Sequence, residues 1–102
     1  MAKVSWSPEA IQDLFETIEF IALENADLAQ EIETEALRKA DGRGDFPESG
    51  SIVPEVANPN IREILIRGTF RLIYELDEDQ ILIIAFLRCK RQIQSTIKKR
   101  IQ

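Results

Sequence analysis

Apolar positions change their spacing twice along the chain. From Ile11 to Ala40 they recur every three or four residues, and from Ile61 to Leu87 they alternate or run together. The first regime is helical. Ile11, Leu14, Phe15, Ile18, Ile21 and Ala22 form one stripe, with Gln12, Asp13, Glu16, Glu19 and Glu24 mostly opposite; Leu28, Ile32, Ala36 and Leu37 or Ala40 form a second. Ser7-Pro8-Glu9 supplies an N-cap, a proline at the first helical position and an acid in the first turn. Asn25-Ala26-Asp27 breaks the pattern, and Asp27 is placed to cap the second helix. The reading is a strand over 3–6, a helical hairpin over 8–24 and 27–40, a loop over 41–60 with a short extended piece at 51–55, a meander over 61–89 and a tail helix over 92–101. The fold class is α+β, the hairpin packing on an antiparallel sheet within one domain spanning 1–102.

In the meander, Gly68-Thr69 is read as a two-residue II′ turn. That register pairs Ile66 with Arg71, Leu65 with Leu72, Ile64 with Ile73, Glu63 with Tyr74 and Arg62 with Glu75. Leu65, Phe70, Leu72, Tyr74 and Leu76 then share a core face, while Arg62, Ile64, Ile66, Arg71, Ile73 and Glu75 share a mixed face suited to binding. Ile81 to Leu87 contains no polar residue and reads as the central strand, buried on both sides. Ile93, Ile97 and Ile101 recur every four residues, which predicts a tail docked by one narrow stripe and able to exchange its contacts for a partner's.

Composition narrows the chemistry. The chain has 102 residues, 44% of them hydrophobic, with one cysteine and no histidine. A disulfide within the chain and a cysteine zinc site are excluded, and the commonest acid/base group is missing. No metal or cofactor is expected. Cys89 lies among cations, but an inert strand-end thiol is the plainer reading. No apolar run approaches a membrane span and the first residues lack a signal-peptide core, so a cytoplasmic protein without membrane contact is expected. Charge is segregated: residues 1–87 hold 7 Lys/Arg against 18 Asp/Glu, a balance of −11, whereas 88–102 hold six cations and no acid. Arg88, Lys90, Arg91, Lys98, Lys99 and Arg100 therefore make a basic end that suits a phosphate backbone or an acidic partner, or simply a solvated helix face. The acids of the helical hairpin read as solvated face.

The element order, with Trp6-Ser7-Pro8-Glu9-Ala10, Asp13-Leu14, Pro47-Glu48-Ser49-Gly50, Val53-Pro54-Glu55, Ile61-Arg62-Glu63, Phe70-Arg71-Leu72-Ile73-Tyr74 and the cluster Arg88 to Arg91, resembles the ParE/RelE toxin superfamily of bacterial type II toxin–antitoxin systems. The resemblance covers nearly the whole chain and has two functional branches. ParE-like members bind DNA gyrase, and RelE-like members cleave messenger RNA on the ribosome. Cleavage by a 2′-OH needs a proton acceptor, a proton donor and cations on the phosphate. Arg71 and Arg91 match the RelE-like arginines and Arg62 stands for one lysine, so these three would be the catalytic set of an endoribonuclease. Ile64 replaces the other lysine, and the tail from Gln92 lacks the tyrosine; Tyr74 falls on the core face. The resemblance is therefore closer to the ParE branch.

It implies a non-enzymatic gyrase inhibitor of the plasmid-stabilization type, neutralised by a cognate antitoxin in a hetero-oligomer. The alternatives are a ribosome-dependent mRNA interferase and a non-toxic antitoxin-binding relict or co-repressor. Target contact is expected from Arg71, Arg88, Lys90, Arg91, Lys98, Lys99 and Arg100; antitoxin contact is expected from Arg62, Ile64, Ile66, Ile73, Ile93 and Ile97. Arg71 could instead pair with a nearby acid. The turn Arg88-Cys89-Lys90-Arg91 departs from the ParE-like His-Gly-Arg-Arg, and Ser51 stands where arginine is frequent, which leaves target identity open.

Overall fold

The computed structural model describes residues 2–101. Its elements are β1 (Lys3–Trp6), α1 (Pro8–Ala22), α2 (Ala26–Gly42), β2 (Ser51–Ile52), β3 (Ile61–Ile66), β4 (Phe70–Asp77), β5 (Gln80–Arg88) and α3 (Gln94–Arg100). This is the expected α+β arrangement of a strand, a helical hairpin, an antiparallel meander and a short final helix. The Ser7 hydroxyl accepts the Ala10 N–H and opens α1. For α2 the cap is Asn25 rather than Asp27: its extended backbone lets the side-chain oxygen accept the Leu28 N–H, which leaves Asp27 in the first turn. Backbone N–H groups of Glu24 and Asn25 turn back to the Ile21 carbonyl, so α1 ends at Ala22.

Five strands form one sheet in the order β1-β5-β4-β3-β2, with β1 parallel to β5 and the other pairs antiparallel. The middle strand is β4; β5 lies one place outward, between β4 and β1. The β3–β4 register differs by one residue from the sequence reading. Ile66 pairs with Phe70, Ile64 with Leu72, Arg62 with Tyr74, Leu65 with Arg71 and Glu63 with Ile73. Arg67 and Gly68 both adopt positive φ, at 54° and 67°, the Thr69 N–H closes the turn on the Ile66 carbonyl, and Thr69 is left over as a third loop residue. The arginine's left-handed backbone carries a steric cost of roughly 1 kcal/mol. Ion pairs from its guanidinium to Glu31 and Glu35 of α2 hold it there.

Because side chains alternate across a strand, the slip exchanges the faces of β3. Ile64 and Ile66 join Phe70, Leu72 and Tyr74 against the helical hairpin, where Leu14, Ile32, Ile81, Ile83 and Phe86 complete the larger core. Arg71 and Ile73 remain on the opposite face. Val53, Ile61, Ile84, Ala85 and Leu87 pack there with Ile93 and Ile97 of the tail. A bulge between Ile73 and Tyr74 inserts Ile84 between the β5 partners Ile83 and Ala85, so Ile84 and Ala85 both serve the second core. That core is held by more than isoleucines. Arg100 Nη1 donates to Asp13 Oδ2 at 2.6 Å and to the Ile84 carbonyl, and Asp13 also accepts the Phe86 N–H. This clasp closes the stretch of β5 edge that β1 is too short to cover. Among the described residues, no helix is long and apolar enough to cross a membrane.

Candidate functional site

Two sites emerge at the end of the sheet where the β3–β4 turn meets the end of β5, one buried and one exposed. The buried one is centred on Arg71. Its outer nitrogens donate side by side to both carboxylate oxygens of Glu55 at 2.7 Å, and Nε donates to Glu63 at 2.6 Å. Only 5% of the residue is exposed. Two-pronged pairing of this kind is the strongest charge-assisted contact a guanidinium makes. The Arg71 hydrogen bond holds the Glu55 carboxyl at about 2, well below its ordinary value, and the same carboxylates push the guanidinium pKa further up. Arg71 is thus a pin that ties the loop after β2 to the sheet, and it presents no donor face to a target.

The exposed site is the turn after β5. Arg88 lies 5.5 Å from the centre of the Phe70 ring, a cation–π distance, and Phe70 stacks on Phe86. The Arg91 N–H closes on the Arg88 carbonyl and the Cys89 N–H on the Thr69 carbonyl, so the turn is fastened to the neighbouring hairpin. Arg88, Lys90 and Arg91 are all exposed, as are Lys98 and Lys99 on α3. Arg100 is half-buried in its pair with Asp13 and leaves the exposed set. Beside the turn lies a recess lined by Glu55, Lys90, Arg91, Gln92 and Gln94, so one carboxylate of the buried pin also borders the basic surface.

The remaining sequence-predicted residues separate. Arg62 spends its guanidinium on the carbonyls of Pro59, Glu48 and Gly50, clamping the loop ahead of β2. Tyr74 is fully buried; its hydroxyl donates to the Pro47 carbonyl and accepts the Gly50 N–H. A Cβ on Gly50 would stand 2.5 Å from that hydroxyl and 2.7 Å from the Glu63 carbonyl, so this approach requires glycine. Of the apolar set, Ile66, Ile73, Ile93 and Ile97 are buried, the first in the larger core and the other three in the smaller one. The single mixed face expected for antitoxin contact is therefore not formed, because the register slip sends Ile64 and Ile66 to the side away from Ile73. Only Ile64, half-buried beside α2, stays near the surface. The arginine triad Arg62, Arg71 and Arg91 does not converge either, since two of its members are consumed internally.

Sequence reasoning missed Glu55, Glu63 and Asp13 as partners. Glu63 reads as a neighbour of Arg71 only in the true register, and Glu55 arrives from a loop. Asp13 carried a usable signal, lying directly before the buried Leu14 on the flank of the apolar stripe.

Comparison with known proteins gives a consistent pattern. The sequence profile of the ParE toxin of type II toxin–antitoxin systems (parDE) matches residues 4–93. No curated protein matches the chain in sequence. Among solved structures, a chain of the chromosomal ParDE TA system from P. aeruginosa superposes with a TM-score of 0.72 at 18% identity, over 86% of this chain and 96% of that one. A conserved hypothetical protein from Helicobacter pylori superposes with a TM-score of 0.55 at 19% identity, over 89% and 98% respectively. At these identities the two neighbours speak for the fold.

Proposed function

This chain belongs to the ParE toxin family of type II toxin–antitoxin systems, and from that premise we propose that it arrests growth by binding a target, DNA gyrase, through its basic turn and is neutralised by a cognate antitoxin. The observation that carries the reading is the division of labour among cations. Arg88, Lys90 and Arg91 stand exposed on a fastened turn, while Arg62 and Arg71, two of the three arginines that RNA cleavage would need, are locked into carbonyls and carboxylates.

The basic end also offers poor acid/base chemistry. Glu55, the carboxylate bordering it, has its pKa held at about 2 and is a weak base near neutral pH. The only tyrosine hydroxyl is buried and fully engaged. A surface of this kind can recognise charge without turning over a substrate. Inducing the protein in a bacterial host while following a DNA-damage reporter and mapping messenger ends by primer extension tests the reading. The expected result is DNA damage without codon-phased messenger cuts; prompt cuts with intact DNA would transfer the protein to ribosome-dependent RNA cleavage. Co-expression with a cognate antitoxin should yield a copurifying complex and restore growth.

A further inference from the structure

β5 carries opposite charge at its two ends. Asp77, Glu78 and Asp79 lead into the strand and Arg88, Lys90 and Arg91 close it, all of them exposed, and a nine-residue strand at about 3.3 Å per residue holds the two groups roughly 30 Å apart. At the acidic end lies a recess of about 910 Å³ lined by Phe46 and Leu76 together with Asp45, Glu48, Asp77 and Glu78. None of these four carboxylates is in an ion pair among the described residues.

Phe46 is fixed in place by its backbone. Its N–H donates to the Gly42 carbonyl, its own carbonyl accepts both the N–H and the hydroxyl of Ser49, and the next carbonyl, of Pro47, accepts the Tyr74 hydroxyl. The ring is nonetheless 68% exposed. An aromatic side chain held out on a fastened loop needs little further ordering when a partner covers it, and carboxylates around the ring make a guanidinium or ammonium group the favoured occupant. This chain carries such groups at its other end. Lys90, Arg91, Lys98 and Lys99 are exposed and none is paired with a carboxylate among the described residues. The length of β5 keeps them from their own recess but not from that of another molecule.

We propose that the Phe46 recess receives the basic turn of a second copy of this chain, head to tail, with Lys90 and Arg91 entering among Asp45, Glu48, Asp77 and Glu78. The contact is heterologous, because it joins different surfaces of the two copies. Carboxylates that repel one another gain cations between them, and the net charge of −5 disfavours approach by other surfaces, so the encounter is oriented. The contact also covers the turn assigned to the target. That capping role rests on the target reading, whereas the contact itself does not.

Sedimentation of the purified full chain tests the contact. The parent should self-associate at about 20 mM salt and weaken at least about tenfold by about 300 mM. Asp77→Asn with Glu78→Gln, and separately Phe46→Ser, should each weaken association by a similar factor, whereas Glu19→Gln with Glu24→Gln, the same change of net charge on α1, should not. Lys90→Glu with Arg91→Glu should also be monomeric. Mixed in equal amounts with the Asp77→Asn, Glu78→Gln chain, it should form a one-to-one pair and go no further, because one supplies the recess and the other the turn. A parent chain that stays monomeric at low salt would overturn the proposal and leave the recess to a basic segment of another protein. Association that survives the recess substitutions, or a mixture that stays monomeric, would overturn it as well. Purified gyrase added to the associated parent should disperse it, since both contacts use Lys90 and Arg91; association untouched by bound gyrase would overturn the capping role. A chain that associates yet does not bind gyrase would remove the target reading and leave the contact standing.

Discussion

The two faces of the sheet are closed by different physics. One is covered by α1 and α2, 15 and 17 residues long, which bring Leu14, Ile32 and three buried alanines down on Phe70, Leu72 and Phe86. The other is covered by a seven-residue helix and a loop, whose isoleucines and Val53 meet Ile73, Ile84 and Leu87. A long amphipathic pair can supply enough apolar area on its own. A single short helix cannot, and here its cover is pinned by Arg100–Asp13 and the loop by Arg71–Glu55. The apolar face tolerates changes of charge and resists changes of volume, and the pinned face should show the reverse.

The largest effect is expected from breaking the deeper pin. Arg71→Met removes the cation from two carboxylates, one of them largely buried, and should cost about 3 kcal/mol in urea denaturation, since an orphaned charge is worse than a missing pair. Adding Glu55→Gln and Glu63→Gln should recover much of that loss. If the triple variant stays as unstable as the single one, the arginine acts through packing and the contrast between the faces fails.

Loosening the second pin should do less and do it locally. Arg100→Met leaves Asp13 on the Phe86 N–H but frees the end of α3, at about 1–2 kcal/mol for a charge-assisted bond that is partly solvated. Amide exchange should quicken over residues 94–100 and stay unchanged in α1 and α2. Acid gives a third, smaller probe of the same face. Glu55 has a folded pKa of about 2 against an ordinary 4.5, so its contribution is complete above pH 4.5 and is lost as pH falls toward 2. With over a third of that side chain exposed, about 1 kcal/mol is expected after allowance for screening. The loss should shrink sharply in Arg71→Met, where only the backbone N–H of Glu55 itself remains to lower the carboxyl pKa.

The same contrast explains what the sequence made legible. Helical periodicity and the Ser7-Pro8 start were readable because they are local, and the apolar face followed from them. Strand identity was readable for the same reason. The β3–β4 register was not, because it depends on Arg67 taking a left-handed backbone, a cost that ion pairs to the distant Glu31 and Glu35 help to offset. One misplaced residue in that turn regrouped Ile64 and Ile66 with Ile73 and so built a binding face that the fold does not contain. The exposure of Arg88, Lys90 and Arg91 does not depend on that register, because these cations follow the last strand in chain position. Arg100 did not survive, since its partner Asp13 lies 87 residues away in sequence.

The smallest effect on stability should accompany the largest effect on activity. Lys90 and Arg91 are exposed on a turn held by backbone bonds to Arg88 and Thr69, so Lys90→Glu with Arg91→Glu should change stability by no more than about 0–1 kcal/mol, the range of surface charge effects. Growth arrest should nevertheless be lost, because the substitution puts two negative charges at the centre of the exposed cationic set. Binding to purified gyrase should fall steeply with salt for the parent chain and more shallowly for the variant, as screening acts on fewer contacts. Capture of a cognate antitoxin by the same variant separates the two roles, and it should persist where the turn serves the target alone. A variant that folds, melts like the parent and still arrests growth would move the target surface away from this turn and leave its cations as solvated charge.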